Sequence, residues 1–171
     1  LGALGGEILD AAFVHTGVPK EGDYLLWHYA GCGIGCNGDY ADDGYNYILT
    51  FNLSYHSTAA QEAELDEAVE DLLNELNLDS KSDYQKAKAV YDYICANITY
   101  DHTSSSMLKH TAYAALVNKT AVCQGYASLY YRLMLDLGVD IRVVAGETDA
   151  GEAHGWNIVK LDNLYYNADS T

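Results

Sequence analysis

Three residues of this chain have the types and settings that acyl chemistry on a carbonyl needs: Cys123, His154 and Asp169. Cys123 follows a loop and opens a helically spaced segment that runs to about Leu137, with Gly138 at a C′-like position. At a helix start, unpaired N–H groups and the positive end of the dipole stabilise negative charge on sulfur. His154 begins one expected strand and Asp169 closes the next, with Asp162-Asn163 between the strands as a tight turn. That turn places His154 opposite Thr171 and Asp169 opposite Trp156. His154 and Asp169 are then diagonal neighbours on one sheet face, because a shift of two residues preserves the face. A thiolate can attack a carbonyl carbon, a histidine can activate it and later protonate the leaving amine, and a carboxylate can fix the histidine tautomer. The Cys123 backbone N–H offers one oxyanion donor. Spacing alone carries this only so far, since one Cys, one His and one Asp often coincide by chance. Whether His154 reaches Cys123 depends on how the helix packs across the sheet.

The elements that must position these residues follow from hydrophobic periodicity. Thr58-Ala-Ala-Gln61 has the form of a capping box, and Leu65, Val69, Leu72, Leu73 and Leu76 recur at helical spacing behind it. The opposite face of that helix, with Glu62, Glu64, Glu67, Glu70, Asp71 and Glu75, reads as solvated. Ser82-Asp-Tyr-Gln85 repeats the capping pattern and opens a second helix to about Asn97, where Cys95 is expected as a buried core thiol. A short helix at about Thr111–Val117 comes next, then the Cys123 helix. Strands are expected at Ile141–Ala145, Ala153–Lys160 and Leu164–Ala168. Residues 1–56 read differently from 57–171. There Tyr45, Tyr47, Leu49, Phe51, Leu53 and Tyr55 alternate with polar or smaller neighbours, the period of a half-buried strand. This aromatic row is expected to pack on a neighbouring layer, a glycan-stacking platform being the alternative. Tyr24–Tyr29 is a second strand candidate. Two regions result, a β-rich lead-in over 1–56 and a core over 57–171, in an α+β architecture with helices packed on an antiparallel sheet.

The 171 residues suit one domain with an appendage. Lys+Arg number 9 against 25 Asp+Glu, a formal charge of −16. Phosphate backbones and anionic membranes both demand clustered cations, so a nucleic-acid partner is excluded and membrane-surface attraction fails. Nor is any apolar run long enough for a membrane span. Four cysteines are too few for a disulfide framework. Cys32 and Cys36 fall in a Gly-rich segment read as a turn, open to free thiols or a short-loop disulfide. A metal site there would need two more soft ligands, which do not appear at ligand spacing. The other histidines show no partner pattern. The chain starts at Leu1 without a leader pattern and stops at Thr171, two residues past Asp169, so the native polypeptide is expected to be longer.

Ala121-Val-Cys-Gln-Gly-Tyr-Ala127 resembles the nucleophile motif of the transglutaminase-like superfamily. His154-Gly-Trp-Asn157 is similar to its His motif, and Tyr165-Tyr-Asn-Ala-Asp169-Ser-Thr171 to its Asp motif. The segment ending Asn97-Ile-Thr-Tyr-Asp101 also fits the lead into the family's core. The resemblance covers residues 80–171 well and 57–79 loosely, and the lead-in looks like that of bacterial surface members. It implies a papain-like fold, with Cys123 as nucleophile, His154 as general base and acid, and Asp169 as the acid that orients it. Gln124 and Trp156 are candidate substrate-binding residues, and neither a metal nor a cofactor is called for. The implied activity is acyl transfer from protein or peptide amides through a Cys thioester. The alternatives are a cysteine peptidase or amidase that uses water, and a non-catalytic adhesion or scaffold module. Expected partners are protein or peptide substrates, cell-wall or surface proteins among them, in an extracellular or cell-surface setting.

Overall fold

The computed structural model of the chain describes residues 2–171. Its centre is a helix, α6 (Cys123–Asp136), whose side chains from Gly125 to Leu135 are all buried. Around it stand α3 (Ala59–Leu76), α4 (Asp83–Asn97) and α5 (Ala112–Leu116), and a three-stranded antiparallel sheet closes the remaining side. That sheet comprises β5 (Ile141–Glu147), β6 (Ala153–Leu161) and β7 (Leu164–Ala168), with β6 central. Leu65, Val69 and Leu72 from α3, Val90 and Ile94 from α4, and Ile141, Val143 and Val159 from the sheet meet Leu129, Leu133 and Met134 of α6 in one core. Both expected capping boxes form: Thr58 and Ser82 accept from the N–H groups of Gln61 and Gln85, whose side chains reach back. The acidic face of α3 is not wholly solvated. Glu62 accepts from the Tyr24 hydroxyl at 2.7 Å and Glu64 from the Tyr113 hydroxyl at 2.8 Å.

The first 56 residues depart most from expectation. They begin with a helix, α1 (Gly2–Ala12), and Tyr24–Tyr29 is no strand: Asp23–His28 forms a short helix, α2. The Gly-rich segment read as a turn is a strand, β1 (Tyr29–Ala41), paired antiparallel with β2 (Gly44–Tyr55) in a long ribbon. Cys32 and Cys36 lie four residues apart on this extended strand, about 13 Å. A disulfide requires Cα atoms within about 7 Å, so the two thiols cannot bridge each other, and both are free. The aromatic row was expected to pack against a layer. Instead Tyr40, Tyr45 and Tyr47 are exposed, and they pack on one another at the ribbon tip. Alternation predicted the strand correctly, but a two-stranded ribbon has too little neighbouring structure to bury a face.

The segment before the ribbon is nevertheless part of the core. Asp23 is 2% exposed. Its carboxylate accepts from two nitrogens of the Arg142 guanidinium, at 2.7 and 2.8 Å, and from the Val143 N–H at 2.9 Å. His28 is equally buried, with Nδ1 against the Tyr24 carbonyl and Nε2 accepting from the Ala112 N–H. Burial holds its pKa below the usual histidine value, and the neutral ring joins α2 to α5. Asp23→Ala strands the Val143 N–H and unpairs Arg142. We expect it to lower unfolding free energy by about 2–4 kcal/mol in urea titration; a loss below about 0.5 kcal/mol would show that α2 is a loose appendage.

Candidate active site

Cys123 is the first residue of α6, and its N-cap, Val122, supplies no side-chain acceptor. No side chain of the N-cap residue therefore covers the first N–H groups of the helix, among them that of Cys123. This turn is held in place from outside. β4 (Thr120–Ala121) pairs in parallel with β3 (Thr99–Tyr100), setting Tyr100 beside Ala121. The Val122 N–H donates to the Lys109 carbonyl at 3.0 Å. Gly125 sits where any Cβ would lie 2.7 Å from the Ala121 methyl and 2.9 Å from the Lys109 and Thr111 carbonyls. Only glycine lets the helix start pack this closely, so the glycine two residues past Cys123 is a steric requirement.

The β6–β7 turn forms at Asp162-Asn163, with Asp162 at φ 56°. Asn157 pairs with Ala168, so Asp169 continues past the end of β7 opposite Trp156. His154 Nε2 and Asp169 Oδ2 are 2.7 Å apart, across the diagonal. Asp169 Oδ1 accepts from the Thr171 N–H at 3.1 Å. Burial pushes the Asp169 carboxyl up, but the bonds from His154 and Thr171 outweigh it and hold the pKa below the usual carboxylate value. Asp169 is an acceptor, so Nε2 carries the proton and Nδ1 is the nitrogen free to take another. Trp156 stacks on the His154 ring at 5.9 Å, and its indole N–H donates to Asn167 Oδ1 at 3.0 Å. The ring lies over Gly146, where a Cβ would come within 2.7 Å of it.

Helix and sheet are linked at this point by Asn157. Its buried side-chain N–H groups donate to the Ala127 carbonyl on α6 at 3.0 Å and to the Arg142 carbonyl on β5 at 3.3 Å. Among the described residues no hydrogen bond joins Cys123 Sγ to the His154 ring; such contacts tighten when substrate fills a site. The Gln124 side chain donates to the Trp27 carbonyl, so its amide is engaged with α2. Among the described residues no group of three or more His, Cys, Asp or Glu side chains could hold a metal ion, and no helix is long and apolar enough to cross a membrane.

Spacing did not find Tyr100. Half-buried beside Ala121, it stands close enough to Cys123 for the two groups to interact electrostatically. Burial, then the nearby sulfur charge, raises its pKa, so it stays a protonated donor at neutral pH. The only sequence signal was its place in Ile98-Thr-Tyr-Asp101, and the parallel pairing that brings it to Cys123 is a tertiary event. Cys95 also differs from expectation: it is exposed, and its thiol donates to the Ser170 carbonyl at 3.5 Å. The helix face that carries it turns toward the chain end beyond β7 rather than into the core.

Residues 70–170, more than half of the chain, match the family model of the transglutaminase-like superfamily. Human kyphoscoliosis peptidase is 30% identical over a stretch covering 68% of this chain and 19% of that protein. The mouse protein of that name is 31% identical over 63% of this chain and 18% of its own length. The chain thus spans under a fifth of the length of these relatives. The crystal structure of a TGase superposes with a TM-score of 0.59 at 19% identity, over 82% of this chain and 45% of that one.

The Asp169 pair sets a pH dependence. Its folded pKa lies below the unfolded one, so its contribution is present above about pH 4 and lost as pH falls through the folded value. Asp169 is 47% exposed, so the contribution is under about 1 kcal/mol. Asp169→Asn should be less stable than wild type at pH 6, and in urea unfolding the gap should shrink as pH falls through the folded pKa of Asp169; a gap of equal size across that range would refute the coupling.

Proposed function

Because the chain belongs to the transglutaminase-like superfamily, we propose that it is a thiol acyl-enzyme acting on protein or peptide amides, with Cys123, His154 and Asp169 as its triad. The observation that carries this reading is the 2.7 Å His154–Asp169 contact, on a sheet tied by Asn157 to the helix that begins with Cys123. His154 Nδ1 takes the thiol proton, and the sulfur attacks the amide carbonyl carbon. The Cys123 N–H and the Tyr100 hydroxyl donate to the oxyanion that forms. His154 returns its proton to the leaving nitrogen, the C–N bond breaks, and a thioester remains. Asp169 stabilises the imidazolium throughout without taking its proton.

A second nucleophile, deprotonated by His154, then resolves the thioester. Water is the acceptor this reading favours, because the triad carboxylate is half exposed and the similar human and mouse proteins are named peptidases. Amine acceptance, giving transglutamination, is the second reading, favoured by the motif resemblance around Cys123 and by the match to a TGase fold. The substrates are proteins or peptides, and an extracellular or cell-surface site of action is part of the proposal.

Incubation with a glutamine-bearing protein and a labelled primary amine separates the acceptors. Hydrolysis predicts amide or peptide cleavage without label incorporation; incorporation would establish transfer instead. Either activity should vanish in Cys123→Ala. Retention of turnover in that variant would overturn the mechanism, as would failure of an electrophilic glutamine analogue to label Cys123. Tyr100→Phe should lower kcat by about 10- to 100-fold with KM little changed; an unchanged kcat removes Tyr100 from the oxyanion site.

A further inference from the structure

The Asp169 carboxylate has to be aimed, yet the chain that carries it leaves the sheet just before it. β7 ends at Ala168, so residues 169–171 have no strand partner to fix their backbone. Two side chains of α4 meet this segment instead. The Tyr91 hydroxyl donates to the Asp169 carbonyl at 2.8 Å, and the Cys95 thiol to the Ser170 carbonyl at 3.5 Å. Tyr91 and Cys95 are one helical turn apart on one face, and they hold two successive carbonyls. The Tyr91 ring also sits edge-on against Tyr130 of α6 at 6.4 Å. Through that contact the backbone of Asp169 is referenced to the helix that carries Cys123.

We propose that Tyr91 is a positioning residue for the triad acid, with Cys95 as a weaker second anchor: together they clamp residues 169–170 to α4 so that Asp169 Oδ2 meets His154 Nε2. The proposal rests on the triad reading, although the clamp itself is a matter of geometry. With Oδ1 occupied by the Thr171 N–H, rotation of the unsupported backbone at Asp169 would turn Oδ2 away from the imidazole. His154 would then lose the partner that sets its tautomer, while substrate contacts at Cys123 would be untouched. The groups facing the Tyr91 hydroxyl are Cys95 and Asp92 from its own helix and Asp169 from the chain beyond β7.

Tyr91→Phe keeps the ring and its packing and removes only the donor. We expect kcat to fall about fivefold with KM unchanged, the scale of one lost hydrogen bond. In an Asp169→Asn background the same substitution should cost nothing further, because the clamp acts only through the carboxylate. A readout independent of turnover is the low-field proton NMR signal of His154 Nε2–H bonded to Asp169, assigned by its loss in His154→Gln and in Asp169→Asn. That signal should broaden or vanish in Tyr91→Phe and weaken in Cys95→Ala. It should persist in Tyr84→Phe, which alters an exposed tyrosine lining the same groove between α4 and β7. Should the wild-type protein turn over no amide at all, the function proposed above fails, and the proton signal still decides the clamp. A signal as sharp in Tyr91→Phe as in wild type overturns the positioning role. So does a Tyr91→Phe cost that multiplies with that of Asp169→Asn.

Discussion

Burial of α6 is the constraint on which the rest of the structure depends. A helix with buried side chains from Gly125 to Leu135 must be surrounded, and three of its tyrosine hydroxyls, which burial would otherwise orphan, fix α4 and the segment before α2 against it. Tyr126 donates to the Ile98 carbonyl at the end of α4, Tyr130 to the Ala87 carbonyl within α4, and Tyr131 to the Glu21 carbonyl before α2. Each tyrosine brings a large apolar surface into the core, and its hydroxyl must find a partner there. The apolar area supplies the drive and the hydroxyls supply the register. Cys123 inherits its position from this arrangement, because it is the end of the same helix that emerges from the packing.

His154 and Asp169 reach their places by a different physics. The turn and the pleat of β6 and β7 make them diagonal neighbours locally, and contacts from α4 hold the residues past β7 that carry the carboxylate. The relation between hairpin and helix is tertiary, and it runs through the buried Asn157 amide and the apolar contacts of Val159 and Val143 with α6. The protein carries sixteen negative charges in excess, a background unfavourable to an anionic intermediate. Solvent and salt screen most of that field beyond about 8 Å, so donors within bonding distance decide what the site can stabilise. The start of α6 and the Tyr100 hydroxyl are the donors on which the proposed mechanism draws.

Much of this was legible in the sequence where the signal was local. Capping boxes at Thr58 and Ser82, the helix opening at Cys123 and the Asp162-Asn163 turn each depend on a few adjacent residues, and each forms as read. Local reading failed where environment decides. Cys95 looked like a core thiol because small and apolar residues surround it in sequence, but its face of α4 turns outward to Ser170. The alternation over Tyr45–Tyr55 identified a strand yet not its surroundings, since period two reports pleating and not what lies on either face. Tyr24–Tyr29, a strand candidate by sequence, is helical, and Asp23 at the start of that helix is held by Arg142 more than a hundred positions away.

The sequence by itself therefore determined the triad candidates, the diagonal relation of His154 to Asp169, and the helices that make up the core, because these follow from turn chemistry and periodicity within short windows. Only the tertiary structure decided that Tyr100 stands beside Cys123, that Asn157 joins helix to sheet, and that Tyr91 holds the Asp169 backbone. Each is a contact between segments whose separation along the chain says nothing of their separation in space. Packing around α6 alone brings them together.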